Sequence, residues 1–217
     1  MNGLRVDRDA QSRSHAGGSH WESIYATAAS TELSWYEREP ATSVRLIEEI
    51  ASEPSAAVID VGAGTSLLVD RLLANGFTDL TVLDIAQHAL TEVQQRLGDH
   101  AQHVTFVHQD VLEWTPERQY DIWHDRAVFH FLTRTSARDR YVDLAARSIR
   151  PGGVLILATF AADGPTHCSG LPVARYAAHD LEHIFAAYFS LVTSEREEHV
   201  TPAAIVQPFT WVVLRRR

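Results

Sequence analysis

The run Val58-Ile59-Asp60-Val61-Gly62-Ala63-Gly64-Thr65-Ser66 joins an apolar stretch to two glycines. Glycine is needed where a backbone turns sharply after a strand and where a ligand must approach without a Cβ in the way. Taken alone, Gly-x-Gly is also what an ordinary strand-to-helix turn contains. Asp84 stands twenty residues beyond Gly64, closing a second apolar run, Leu80-Thr81-Val82-Leu83. An acidic side chain there can accept both hydrogen bonds of a ribose diol, cap the following helix, or do both. Leu67 occupies the place of the third glycine in Gly-x-Gly-x-x-Gly, so a pyrophosphate fits less well than a cofactor without one.

A second cluster is His124-Asp125-Arg126-Ala127-Val128-Phe129-His130-Phe131-Leu132. At the C-terminal edge of a strand, the ligand side of an open α/β sheet, it is placed for acceptor chemistry. Either His124 or His130 is a candidate to remove a proton, against packing roles for both. Arg126 is a candidate to bind an anionic acceptor or, alternatively, to pair with Asp125. The loop of residues 161–176 is long for a compact domain and is expected to cover the acceptor side, with Arg175 and Tyr176 as recognition candidates or simple anchors. Cys168, beside His167, is not expected to act as a nucleophile. The remaining histidines lack metal-ligand spacing, so no metal is expected.

These residues need a scaffold. At 217 residues the chain suits one α/β domain, expected over 20–217 after a flexible tail at 1–19. Residues 20–42 form an aromatic lead or cap, with Trp21, Tyr25, Trp35 and Tyr36. Strands are predicted at Ala56–Val61, Leu80–Asp84, Val104–Val107, Tyr120–Asp125 and Val154–Phe160, with an antiparallel end pair at Phe189–Ser194 and Phe209–Leu214. Helices are predicted at Ser43–Ala51, from a Thr65 or Ser66 cap to Leu73, and at Gln87–Leu97, Ser136–Ile149 and Ala178–Ala187. That alternation predicts a mostly parallel seven-stranded sheet with an antiparallel C-terminal strand and helices on both faces.

Composition excludes several classes. The net charge of −9 offers no basic field for a phosphate backbone, so nucleic acid is a poor partner. The 19 basic residues are all arginine, which rules out lysine bases and Schiff bases. One cysteine excludes an internal disulfide and a Cys-rich zinc site. No apolar run approaches the roughly 18 residues of a membrane span, and the polar start is unlike a signal peptide, so a cytoplasmic monomer or homodimer is expected.

The order Val-Ile-Asp-Val-Gly-Ala-Gly-Thr-Ser, Val-Leu-Asp-Ile-Ala, His-Gln-Asp-Val-Leu, Tyr-Asp-Ile-Trp-His-Asp-Arg and Ile-Arg-Pro-Gly-Gly-Val-Leu resembles the class I S-adenosylmethionine methyltransferases over about residues 43–160. The resemblance implies a Rossmann-like fold and S-adenosyl-L-methionine as cofactor, with S-adenosyl-L-homocysteine as product. It implies that Asp60 lies near the methionine amine, that Gly62 and Gly64 (with Ala63, Thr65 and Ser66) form the turn under the cofactor, and that Asp84 binds the ribose. Asp110 with Val111 falls to the adenine, with a turn role as the alternative for Asp110, Ile85 to the cofactor, and His124 and Asp125 to the methyl-transfer end. The aromatic lead resembles that of thiopurine methyltransferase-like enzymes and of lysine methyltransferase relatives. This gives Tyr25 and Trp35 to the cofactor and Trp21 and Tyr36 to the acceptor, against a purely packing role.

The expected reaction is direct methyl transfer to a small-molecule nucleophile, first of all a thiol, which ionises near neutral pH and needs only a weak base. A protein lysine is the alternative acceptor, although Asp125-Arg126-Ala127 departs from the Asp-Lys-Gly-like motif of such enzymes. An NAD-binding oxidoreductase would also use Gly62, Gly64 and Asp84, but it lacks the third glycine and any Tyr-x-x-x-Lys dyad. A non-catalytic adenosyl-cofactor-binding module is the remaining class.

Overall fold

The computed structural model describes residues 8–217, with side chains from Gly17 onward. In chain order the first half comprises helices α1 (Arg8–Thr27) and α2 (Ala41–Ile50), strand β1 (Val58–Val61), α3 (Leu68–Ala74), β2 (Leu80–Asp84), α4 (Gln87–Leu97) and β3 (Val104–His108). The second half comprises β4 (Tyr120–Arg126), α5 (Thr135–Ser148), β5 (Ile149–Phe160), the short pair β6 (His167–Cys168) and β7 (Leu171–Pro172), α6 (Ala178–Phe185), β8 (Phe189–Val200) and β9 (Val206–Arg216).

The large sheet has seven strands in the order β3-β2-β1-β4-β5-β9-β8. Neighbours from β3 through β5 pair in parallel, and β9 runs antiparallel to both β5 and β8. Side chains alternate between two cores, as the period of two along a strand requires. Val58, Val82, Ile122 and Ile156 pack with Leu46, Leu72 and Val93 of α2, α3 and α4. Ile59, Leu83, Trp123 and Leu155 pack with Tyr141 and Leu144 of α5 and Phe185 of α6. Each such side chain, removed from water, contributes about 1.5–3 kcal/mol. The reversal of strand order between β1 and β4 opens a crevice beyond their C-terminal ends, where ligands bind in such sheets.

Several elements differ from the sequence expectation. The flexible tail expected at 1–19 lies outside the described residues over 1–7, and over 8–19 the chain belongs to α1. Little in its composition favours a helix, but α1 docks: Glu22 pairs with His88 of α4, and Gly18 lies against Ile85. Strands β8 and β9 also extend beyond the predicted segments. The charged run Glu195-Arg196-Glu197-Glu198 hid the extension, since an edge strand with a solvated face carries charges freely. Among the described residues no helix is long and apolar enough to cross a membrane.

Candidate functional site

Three strand ends build the site. After β1 the chain turns at Gly62 with φ +64°, and the N–H groups of Gly62 and Ala63 both donate to the Leu83 carbonyl of β2, at 2.7 and 3.2 Å. A Cβ at position 62 would fall 2.0 Å from Val128 Cγ2, so the approach of the loop after β4 demands glycine. Arg96 of α4 holds the rest of the turn: it donates to the Thr65 carbonyl at 3.1 Å and the Ser66 carbonyl at 2.7 Å while forking onto Asp70. The helix begins later than the expected Thr65 or Ser66 cap, at Leu68, whose N–H donates to Ser66 Oγ at 3.1 Å.

At the end of β2, Asp84 is 4% exposed and accepts from the Gly64 N–H at 2.7 Å through one oxygen and from the Ala86 N–H at 2.8 Å through the other. Burial pushes its carboxyl up to about 6 against these two bonds. A carboxylate has about four acceptor positions, so room for a diol remains. Asp84 does not cap the following helix as considered, since Ala86 takes that position and no side chain caps it; instead its carboxylate anchors the turn and leaves acceptor positions for a ligand. Asp110 likewise makes a local turn, accepting from the Leu112 N–H at 2.8 Å, and lines the adjoining cavity together with Ile85 and Val111.

Two cavities meet here. The larger, of about 400 Å³, runs from Asp84, Ile85, Asp110 and Val111 to an apolar wall of Trp21, Tyr25, Trp35, Phe131, Cys168 and Leu171. The smaller, of about 50 Å³, is lined by Asp60, Ala63, Thr65, Ser66, His124, Ser43 and Tyr36. Trp35, Gly62 and Arg126 line both. Helix α1 roofs the junction: the Tyr25 hydroxyl lies 2.2 Å from where a Cβ at Gly64 would be, and Trp21 packs edge-on against Trp35 and Phe131.

Arg126 does not pair with Asp125. It donates to Glu37 at 2.9 Å and to the Trp35 carbonyl at 3.2 Å, and its guanidinium lies 4.8 Å from the centre of the Phe209 ring. Burial pushes the Glu37 carboxyl up, but His199 and Arg126 outweigh it and hold it below the usual range. Asp125 is fully buried on the opposite face, accepting from the Val128 N–H at 2.8 Å, the Phe129 N–H at 3.2 Å and the Tyr141 hydroxyl. It lines neither cavity, which corrects its expected place at the methyl-transfer end.

Three further expectations are corrected. His130 is fully buried among Phe131 and Phe160, burial and Arg126 push it down to about 3, and it lines neither cavity, so it is no base for an acceptor. Tyr176 packs against Phe129, and Arg175 donates to the Gly164 carbonyl at 3.1 Å; both anchor the loop outside the cavities. From that loop it is Cys168 and Leu171 that reach the cavity wall, and burial pushes the Cys168 thiol up to about 11. His124 does line the smaller cavity, but both ring nitrogens are engaged, with Asp60 and Ser43. Ser43, Glu37, Arg96 and Phe131 were not anticipated; only Phe131, inside the aromatic stretch, left a local trace.

The methyltransferase-domain family matches residues 58–153. The mouse (Mus musculus) eEF1A lysine and N-terminal methyltransferase is 24% identical over 120 residues, which are 54% of this chain and 17% of that protein. The chain's matches span 17% to 52% of the length of its curated relatives. Among solved structures, one described for the conversion of a disulfide bond into a thioacetal group during echinomycin biosynthesis has a TM-score of 0.75 at 18% identity, covering 92% of each chain. The Burkholderia thailandensis 1,6-didemethyltoxoflavin-N1-methyltransferase, with S-adenosylhomocysteine and 1,6-didemethyltoxoflavin bound, has a TM-score of 0.69 at 20% identity, covering 100% of this chain and 92% of that one. At these identities the structural likeness concerns the fold. Residues 58–153 thus match a methyltransferase domain, and the chain shares the Rossmann-like fold of these S-adenosylmethionine-dependent methyltransferases.

Proposed function

We propose that the chain moves the methyl group of S-adenosylmethionine directly onto a small-molecule nucleophile, with thiols as the first class to test. The observation that carries this is the meeting of the two cavities at Trp35, Gly62 and Arg126, with a buried carboxylate in each: Asp84 in the larger and Asp60 in the smaller. When bound, the cofactor supplies a methyl group on a cationic sulfur. Asp84 holds the ribose diol, Ile85 and Val111 hold the adenine, and Asp60 holds the ammonium. The faces of Trp21, Tyr25 and Trp35 exclude water from the junction and suit a cation or a polarisable acceptor.

The rate then comes from positioning rather than from an enzyme base. None of the described residues lining the larger cavity is a histidine, and Cys168 is held as the thiol by burial. An acceptor must arrive with its electron pair available, which a thiol near its own pKa does and a lysine ammonium does not. Protein lysine is the second reading, supported by the activity for which the mouse relative is named. Titration calorimetry with S-adenosylmethionine, S-adenosylhomocysteine and NAD tests the cofactor. Release of S-adenosylhomocysteine in the presence of small thiols or lysine peptides then tests the acceptor. Binding of the adenosyl pair, NAD silent, with turnover on thiols supports the proposal; turnover on lysine peptides alone overturns the acceptor class, and binding of NAD alone overturns the whole reading.

A further inference from the structure

We infer that Ser43, His124 and Asp60 form a buried relay that positions the Asp60 carboxylate for the ammonium group of the cofactor, an inference that rests on the cofactor reading above. Asp60 on β1 and His124 on β4 are register partners across the parallel pair. His124 Nδ1 lies 2.7 Å from Asp60 Oδ1, and its Nε2 lies 3.0 Å from Ser43 Oγ on α2. The three residues are 6%, 2% and 1% exposed in the order Asp60, His124, Ser43, and all line the smaller cavity.

The donor and acceptor inventory orders the row. A carboxylate only accepts, so Nδ1 carries a proton and donates it to Asp60; in the neutral ring Nε2 then accepts from the Ser43 hydroxyl. The ring is held from both sides, and with it the direction in which Asp60 faces. A buried carboxylate needs a donor, and an imidazole N–H supplies one without a fixed positive charge. An arginine at the same place would neutralise Asp60 and compete with a ligand ammonium. His124 is therefore a positioning residue, acting on the ligand through Asp60.

Titration calorimetry with two probes separates this role from general support of the fold. S-Adenosylhomocysteine carries the ammonium, whereas 5′-methylthioadenosine keeps the adenosine and the sulfur but lacks the amino-acid group. His124→Phe is expected to weaken S-adenosylhomocysteine about tenfold or more, the usual loss for a hydrogen bond to a charged group, while 5′-methylthioadenosine changes by less than about twofold. Ser43→Ala, which keeps the imidazole, is expected to show a smaller loss with the same selectivity, and it carries the test if His124→Phe does not fold. Equal losses for both probes, or no loss for either, would overturn the relay. A wild-type protein that binds 5′-methylthioadenosine but not S-adenosylhomocysteine would overturn the assignment of Asp60, and one that binds neither would remove the cofactor reading itself.

Discussion

Replacing Asp84 by Asn keeps the size of the side chain and removes its charge. Each carboxylate oxygen now accepts a backbone N–H, from Gly64 and from Ala86. An amide has one oxygen, so it satisfies one of these donors and meets a diol as a neutral group. A hydrogen bond to a charged partner is worth about 1.5–3 kcal/mol, which predicts S-adenosylhomocysteine binding weaker by roughly 10- to 150-fold. The wild type also carries a pH signature. Burial pushes Asp84 up to about 6, and a diol that donates hydrogen bonds favours the ionised form. Affinity is then level above about pH 7 and falls about tenfold by pH 5, where about one molecule in eleven has Asp84 ionised. The Asn variant lacks this dependence. Calorimetry from pH 5 to 8, with circular dichroism to confirm folding, gives both numbers. Unchanged affinity in the variant, or a level wild-type profile, would refute the placement of the ribose on Asp84.

Three other perturbations probe the surroundings of the site. Asp125 is raised to about 6 from an ordinary 3.8 by burial, so the folded protein holds its proton over a range in which the unfolded chain has released it; its stabilising contribution is present below about pH 4 and lost as pH rises through 6, by about 3 kcal/mol. Asp125→Asn should remove that share of the slope in urea unfolding measured from pH 4 to 8, and an unchanged slope would reject the buried charge. Gly64→Ala puts a Cβ 2.2 Å from the Tyr25 hydroxyl at a residue with φ +53°, so it should cost about 1–2 kcal/mol and loosen α1, seen as faster proteolysis within residues 20–37; Tyr25→Ala in the same chain should relieve the clash but not the backbone strain. With its thiol raised to about 11 from 9.0, Cys168 should react with iodoacetamide at neutral pH about 100-fold more slowly than an ordinary cysteine, by intact mass, and rapid labelling would contradict its burial.

What was legible in the sequence was local. A strand that ends on Gly62-Ala63-Gly64 and an acid that ends the next strand are each specified within a few residues, and both stand where expected. The partner of Arg126 was also open to reasoning, and the adjacency of Asp125 misled it. Successive residues of a strand face opposite sides, so Asp125 and Arg126 on β4 cannot meet: one turns to Tyr141, the other to Glu37. The roles of Ser43, Glu37 and Arg96 were not legible, because each acts on a segment 26 or more residues away along the chain.

The division also bears on which residues choose the acceptor. The family match at 58–153 takes in β1, β2, β4 and the turn, the parts proposed above to meet the cofactor. The wall facing the junction comes largely from outside it: Trp21, Tyr25 and Trp35 before it, Cys168 and Leu171 after it. Arg126 ties the two together, since it ends β4 yet holds Trp35 and Glu37 of the lead, and His199 of β8 holds the neighbouring Ser34 carbonyl at 2.8 Å. A relative sharing only the matched span shares the strand ends and the turn and, of this wall, Phe131 alone. Acceptor class is therefore to be sought by exchanging the lead and the β6–β7 segment between relatives, with Arg126 kept, rather than by altering the ends of the strands.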